Sequence, residues 1–270
     1  RSGGYGKMSQ YLTIVFAAVL GACLGSFANV AAIRLHAMTS LNGRSRCPEC
    51  DALIRPRHLV PIFSWLALRG RCADCGAKIH IQYPIVELLC AALVVLVAMR
   101  HDPFLGYAAP FAFEAIISIS LVIVSVMDLR WSELPIEVLV LVGIIGAFWK
   151  IYSGWSSGDP VSSAISIATG ATVGIIFFGA QWALSKGKWL GSGDVWFGAM
   201  MGLVLAWPAT AYAIYLSYIF GGFGVGTLYV LRKVKKGMRV PFAPALSLGL
   251  MSALWFHPYF DQQLRFLFGI

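Results

Sequence analysis

The chain has 270 residues, of which 59% are hydrophobic and only 12% are charged. Its mean hydropathy of +0.75 excludes an ordinary soluble globular domain. The net charge of +9 does not indicate a nucleic-acid partner, because the positive residues follow particular apolar stretches. The composition therefore predicts an all-α membrane protein with several transmembrane helices.

Eight apolar stretches are candidate transmembrane helices. They cover residues 10–33, 84–99, 108–127, 134–152, 161–184, 195–206, 208–231 and 241–256. Those at 195–206 and 241–256 are short and could be tilted, broken or re-entrant, so the number of spans could differ from eight by one or two. Residues 1–9 are interpreted as an outer N-terminus, and those before Met8 resemble a remnant of an expression vector.

The distribution of Lys and Arg predicts the orientation in the membrane. In an eight-span topology, sixteen of them follow the first, third, fifth and seventh stretches, and only five lie on the other side: Arg1, Lys7, Arg100, Lys150 and Arg265. The richer side is cytoplasmic by the positive-inside rule, and both termini then face outward. The basic cluster at 232–236 on this side is interpreted as an anchor that faces membrane lipids.

Residues 34–83 form the only substantial polar region, and they hold four of the six cysteines. Two CxxC pairs, CPEC and CADC, place four thiolates on two tight turns, a geometry suited to tetrahedral zinc. The alternatives are disulfides, which a reducing cytoplasm disfavours, and unligated thiols, which would leave the loop without a stable core. We therefore predict a structural zinc ion bound by Cys47, Cys50, Cys72 and Cys75. The other two cysteines, Cys23 and Cys90, are predicted to be buried thiols.

Six acidic residues lie near membrane depth, where an ionisable side chain is costly and is a functional candidate by default. They are Glu87, Glu114, Asp128, Glu133, Glu137 and Asp194. Asp128 ends the third apolar stretch in SVMDLRW and Asp194 opens the sixth in LGSGDVW, so both are predicted at the cytoplasmic membrane surface. Two adjacent carboxylates share one proton and can activate a water molecule, as in aspartic proteases. A helix cap is the simpler interpretation of Asp194 alone.

The order of several motifs resembles that of the bacterial type IV prepilin peptidases. The matching segments are GSFANVAAIRL (25–35), the cysteine loop (46–88), Asp128, the GxGD sequence that ends at Asp194, and VPFAPALSLG (240–249). The resemblance implies that residues 84–270 form a membrane peptidase domain whose catalytic aspartates are Asp128 and Asp194. Three departures bear on substrate range and product handling: Leu134-Pro135-Ile136 in place of an Ile-Pro-Asp turn, Trp196 in place of a basic residue, and Ala243 in place of glycine.

The resemblance implies cleavage of the short basic leader of prepilins or pseudopilins, at the cytoplasmic face of the bacterial inner membrane. Family members often also methylate the new N-terminus with S-adenosylmethionine. No adenosylmethionine motif is recognisable, because GGFGVG (221–226) lies inside an apolar stretch, where glycines permit close helix packing.

The alternative function is an ion-coupled transporter in which Asp128 and Asp194 bind a cation. Transporter sites favour the bilayer midplane, whereas both aspartates are predicted at one surface.

Overall fold

The structure, a computed structural model, describes residues 3–232 and 240–268. Its regular elements are helical, apart from two isolated β-bridges in the cysteine loop. This part of the chain forms α1 (Gly3–His36), α2 (Phe63–Ala67), α3 (Gln82–Arg100), α4 (Ala108–Trp131), α5 (Ile136–Ser156), α6 (Pro160–Ser185), α7 (Ser192–Leu205), α8 (Ala209–Val230) and α9 (Ala243–Phe268). The predicted all-α fold is confirmed.

Within the described ranges, six helices are long and apolar enough to cross a membrane. They are α3 to α6, α8, and the part of α1 from Gln10 to His36. The apolar helices Ser192–Leu205 and Ala243–Phe256 are shorter, and they correspond to the two short stretches of the sequence. The 14 residues of α7 extend about 21 Å, less than the ~30 Å of a hydrocarbon core. The multi-span prediction is thus confirmed, although six helices, not eight, reach the length of a full span.

The chain divides into two compact units, Arg1–Val126 and Met127–Ile270. In the first unit, α1 packs along α3 through Gly21 and Gly25. A Cβ atom would lie 2.6 Å from the Cys90 carbonyl oxygen at Gly21, and 2.7 Å from the Glu87 Cα at Gly25. Cys90 is buried as predicted, but Cys23 is exposed, because position 23 lies on the face of α1 opposite to these glycines.

In the second unit, α7 packs against α6 through two pairs of glycines. A Cβ atom on Gly174 would collide with the Gly198 backbone, and one on Gly202 would collide with the Gly170 backbone. Each helix therefore carries a GxxxG motif that lets the backbones approach closely. Gly170 thus lies against Gly202, and Gly174 against Gly198. Because the residue numbers rise along α6 as they fall along α7, the two helices are antiparallel.

The helix directions bring three chain segments to one end of the second unit. Gly143 and Gly146 of α5 face positions 200–204 of α7 in ascending order, so α5 and α7 begin at the same end. Gly221 contacts Phe242, whereas Gly249 contacts Ser217, so α9 is antiparallel to α8. The Ala243 N–H at the start of α9 donates to Asp128 near the end of α4, and Gly193 at the start of α7 lies against Leu134, between α4 and α5. The end of α4, the start of α7 and the start of α9 therefore lie together.

Two other sequence features have different outcomes. The glycines of GGFGVG lie within α8, and only Gly221 has a close neighbour, since nothing lies within 4 Å of a Cβ on Gly222, Gly224 or Gly226. The packing interpretation therefore holds for Gly221 alone. In the predicted basic cluster, Arg232 is exposed, and Lys233, Lys235 and Lys236 lie outside the described residues.

The glycine packing of α7 predicts a difference between two alanine variants. Gly202→Ala should destabilise the protein by about 1–3 kcal/mol, because the new methyl group overlaps the α6 backbone. Gly224→Ala adds the same group in open space and should leave stability unchanged or raise it. Thermal unfolding in detergent, monitored through the loss of monodisperse protein, measures the stability of both variants. Equal melting temperatures for the two variants would contradict the close contact between α6 and α7.

Candidate active site and metal centre

Asp128 lies in the last turn of α4 and is only 8% exposed. Its Oδ2 atom accepts a hydrogen bond of 2.8 Å from the backbone N–H of Ala243, the first residue of α9. The N–H groups of the first helical turn have no partner within their own helix and carry a partial positive charge, so they stabilise a nearby carboxylate. Ala243 itself is fully buried.

Asp194 is the third residue of α7 and is 7% exposed. Its Oδ2 atom accepts the backbone N–H of Gly191 at 2.9 Å, so the predicted capping role is present. Gly193 is needed for another reason, since a Cβ there would lie 2.8 Å from the Leu134 side chain. The space beside Gly193 is therefore taken by the Leu134 side chain.

The two aspartates are close enough to interact electrostatically. Both lie at the same end of the second unit, because α7 starts where α4 ends. Neither forms an ion pair with a cationic side chain in the described part of the chain. Two neighbouring buried carboxyl groups without a counter-ion disfavour the state in which both are ionised.

The other acidic candidates have partners of their own or are exposed. Glu114 lies 2.9 Å from Nε2 of His101 and 3.4 Å from Nε of Arg100. Glu87 accepts the backbone N–H of Ile62 at 2.6 Å. Glu133 and Glu137 are exposed.

Sequence reasoning missed a polar pair beside the aspartates. The Tyr218 hydroxyl donates to Oε1 of Gln181 at 2.7 Å, and Tyr218 lies near Asp194. The Tyr218 ring packs edge-on against Phe242, with 5.3 Å between the ring centroids, and Phe242 precedes the Ala243 amide that holds Asp128. The sequence signal that could have indicated this pair is a glutamine in one apolar helix and a tyrosine in another.

The four predicted zinc ligands converge in the first unit. The Sγ atoms of Cys47, Cys50, Cys72 and Cys75 all lie within 4.8 Å of one another. The Sγ atoms of Cys47 and Cys75 are 3.9 Å apart, which is close to the ~3.8 Å edge of a tetrahedron with Zn–S bonds of ~2.3 Å. All six cysteines are free of disulfides. The cluster is therefore compact enough to hold one tetrahedral metal ion.

The backbone of each CxxC turn supports this geometry. The Gly76 N–H donates to the Cys72 carbonyl at 3.0 Å, and the Asp51 N–H donates to the Cys47 carbonyl at 2.9 Å. Backbone N–H groups of Cys75 and Asp74 lower the pKa of the Cys72 thiol to about 7. Hydrogen bonds with neighbouring thiols raise the pKa of Cys50 and Cys75. Because the thiolate is the binding form, metal binding must displace protons from the cluster.

A cavity of ≈ 360 Å³ lies in the first unit and is lined by Gln10, Thr13, Ile14, Ala98, Met99, Asp102 and Leu105. It lies at the C-terminal end of α3, whereas the cysteine loop precedes the N-terminal end of α3. This cavity therefore does not fit a methyl donor that acts on the side of the cysteine loop.

The cysteine cluster predicts about one zinc ion per chain. In Cys47→Ser and Cys72→Ser variants this metal should be lost and residues 40–82 should be less protected from proteolysis, because the loop depends on the metal for its fold. Cys23→Ser, which replaces an exposed cysteine of α1, should keep the metal. Elemental analysis of protein from zinc-replete cells measures all three. A wild-type protein without metal, or full metal content in both ligand variants, would overturn the site.

Two protein-family models match different parts of the chain. Residues 19–101 match the bacterial peptidase A24 N-terminal domain, and residues 115–226 match the type IV leader peptidase family. No solved structure is significantly similar to the chain.

Several curated relatives cover most of the chain. A prepilin leader peptidase/N-methyltransferase of Bacillus subtilis is 31% identical over 90% of this chain and 93% of its own length. A type 4 prepilin-like proteins leader peptide-processing enzyme of Escherichia coli is 32% identical over 91% of this chain and 95% of its own length. A prepilin leader peptidase/N-methyltransferase of Aeromonas hydrophila is 34% identical over 78% of this chain and 71% of its own length. The chain therefore belongs to the type IV leader peptidase family.

Proposed function

We propose that the protein is a membrane aspartyl endopeptidase that removes the leader peptide of type IV prepilins or pseudopilins. One observation carries the proposal: Asp128 and Asp194 are both buried at one end of the second unit and interact there, each held by a backbone N–H. Membership of the leader peptidase family supports the substrate class.

In the proposed reaction, a water molecule between the two carboxyl groups attacks the scissile carbonyl carbon. The ionised carboxylate takes a proton from this water as the new C–O bond forms. The protonated carboxyl group meanwhile donates a hydrogen bond to the carbonyl oxygen and stabilises the tetrahedral intermediate. Transfer of a proton to the departing nitrogen then breaks the C–N bond, which gives a carboxyl terminus on the leader and a new N-terminal amine on the pilin.

The site is proposed to face the cytoplasm from the bacterial inner membrane. The stretches that carry Asp128 and Asp194 adjoin the side on which sixteen of the Lys and Arg residues are predicted. Leader cleavage on this side would act on a precursor whose apolar helix is still in the bilayer. Such a cut requires catalytic groups near helix ends. Asp128 lies near the end of α4, and Asp194 lies near the start of α7.

Zinc is proposed to have a structural role in the cysteine loop. Four cysteine ligands complete a tetrahedral shell, so no position remains open for a water molecule or a substrate. Cys47, Cys50, Cys72 and Cys75 would hold the two CxxC turns together, and cleavage depends on the aspartates.

We further propose that the protein methylates the new N-terminal amine with S-adenosylmethionine as the methyl donor. Relatives in Bacillus subtilis and Aeromonas hydrophila are named as N-methyltransferases. The ion-coupled transporter considered from the sequence has no support from the family models or from these relatives.

The proposed mechanism predicts that Asp128→Asn and Asp194→Asn each reduce leader cleavage by about 10²–10⁴-fold, because neither carboxyl group can perform both proton transfers alone. The cleavage rate of a purified prepilin or pseudopilin, monitored by mass spectrometry, measures the effect of each substitution. Glu137→Gln is the matched control, since it neutralises an exposed acid in the first turn of α5, and it should keep wild-type activity. Substantial cleavage by either folded aspartate variant would refute the mechanism.

The two proposed activities should separate by mutation. Methyl transfer needs a deprotonated amine in line with the sulfonium and no carboxylate pair, so Asp194→Asn should still methylate a pilin that has been trimmed beforehand. The mass of the pilin N-terminus after incubation with S-adenosylmethionine decides this. An unmodified N-terminus with wild-type enzyme, under conditions of complete cleavage, would show that the protein is a peptidase only.

A further inference from the structure

The cysteine loop carries an apolar surface that the metal centre and the peptidase reaction do not use. It is formed by Leu59, Val60, Phe63 and Leu66, which we call the α2 patch. Their side chains are 41%, 48%, 72% and 59% exposed, respectively. Four large apolar side chains exposed within eight positions are unusual in a polar loop and are typical of an interaction surface.

The α2 patch is held outward by contacts on the opposite side of α2. The Trp65 Nε1–H donates to the Ile79 carbonyl at 3.2 Å, and a Cβ on Gly70 would lie 2.9 Å from the Trp65 ring. Trp65 therefore packs into the loop, and Phe63 and Leu66 on the other face remain free of such contacts.

A strained turn fixes the start of α2 against α3. Ile62 has φ 63° and ψ −54°, and the Phe63 N–H donates to the Pro61 carbonyl at 2.6 Å. This is a γ-turn of the rare strained type, and it is costly for a β-branched residue. Glu87 of α3, which is 6% exposed, accepts the Ile62 N–H at 2.6 Å and so stabilises the turn.

The bond to Glu87 also places the start of α2 beside the first turns of the candidate span Gln82–Leu105. Glu87 lies five residues after Gln82, the first residue of the candidate span Gln82–Leu105, which corresponds to about 7.5 Å along the helix. The side chains of Ile85, Leu88 and Leu89 at this level of α3 are 56%, 62% and 47% exposed. The α2 patch is therefore level with an apolar surface of a membrane-spanning helix.

Basic residues border the patch on both sides. Arg57 and Arg69 are exposed, and neither side chain has a hydrogen-bond or ion-pair partner among the residues that the structure describes. Residues 37–81 contain seven Lys and Arg but only three Asp and Glu. An apolar face bordered by unpaired arginines matches the boundary between acyl chains and anionic headgroups.

We propose that the α2 patch lies in the interfacial layer of the leaflet on the side of the cysteine loop. Phe63 and Leu66 contact acyl chains there, and Arg57 and Arg69 bind the phosphate groups of anionic lipids. The patch thereby ties the zinc-binding loop to the bilayer surface. This inference does not depend on the peptidase activity.

Photo-crosslinking of the full-length protein in lipid nanodiscs tests the proposal. p-Benzoylphenylalanine is introduced in place of Phe63, and in separate proteins in place of Ile85 on α3 and of Leu53, an exposed residue that pairs with Arg46 just after the first CxxC turn. The nanodiscs contain phosphatidylcholine with a minority of phosphatidylglycerol, and mass spectrometry identifies each adduct. We expect lipid adducts at positions 63 and 85 and few at position 53.

The arginine contacts are tested in the same experiment. Phosphatidylglycerol should be enriched among the adducts at position 63, and this enrichment should fall by about fivefold for each of Arg57→Gln and Arg69→Gln. Three outcomes would overturn the proposal: lipid adducts at position 85 but none at 63, equal adducts at 63 and 53, or no enrichment of the anionic lipid. Adducts to a co-reconstituted prepilin in place of lipid would assign the patch to a protein partner and would also overturn it.

Discussion

The burial of two carboxyl groups in an apolar helical bundle is the constraint on which the second unit depends. Ionised groups in such surroundings are strongly destabilised unless they are hydrogen-bonded. In the described residues no cation pairs with Asp128 or Asp194, and a backbone N–H is the partner in each case: Ala243 for Asp128 and Gly191 for Asp194. Within a helical bundle, backbone N–H groups without an intrahelical partner occur at helix starts, which explains why the site lies where α7 and α9 begin.

Glycine contacts determine where those helix starts can lie. The close approach of Gly198 and Gly202 to α6 fixes the position of α7, and Gly193 lies against Leu134, between α4 and α5. A side chain at these positions would displace α7 from α6 or from Leu134. The position of Asp194 relative to Asp128 is therefore determined by helix packing in a region where the hydrophobic effect is weak and close van der Waals contact is the main attraction.

Much of this arrangement could be predicted from the sequence, because residue spacing carries it. Two CxxC pairs predicted the cysteine cluster, and the positions of Asp128 and Asp194 at the ends of apolar stretches predicted that they would meet. The Ala243 amide could not be predicted as a partner of Asp128, since a backbone donor 115 residues away has no side-chain signature. Composition does not show which face of a helix is covered by a neighbour. For this reason the exposure of Cys23 could not be predicted, nor could the finding that only one glycine in GGFGVG has a packing role.

The central claim is that a backbone N–H of α9 holds Asp128 in its reactive position, and the cleavage rate of an Ala243→Pro variant tests it most directly. Proline removes the N–H but is tolerated in the first turn of a helix, and Ala243→Gly keeps the N–H. The account predicts that Ala243→Pro lowers kcat for leader cleavage by about 10- to 100-fold, the effect of one hydrogen bond to a charged group, while Ala243→Gly keeps most of the activity. Wild-type cleavage by a folded Ala243→Pro protein, or an equal loss in both variants, would contradict it.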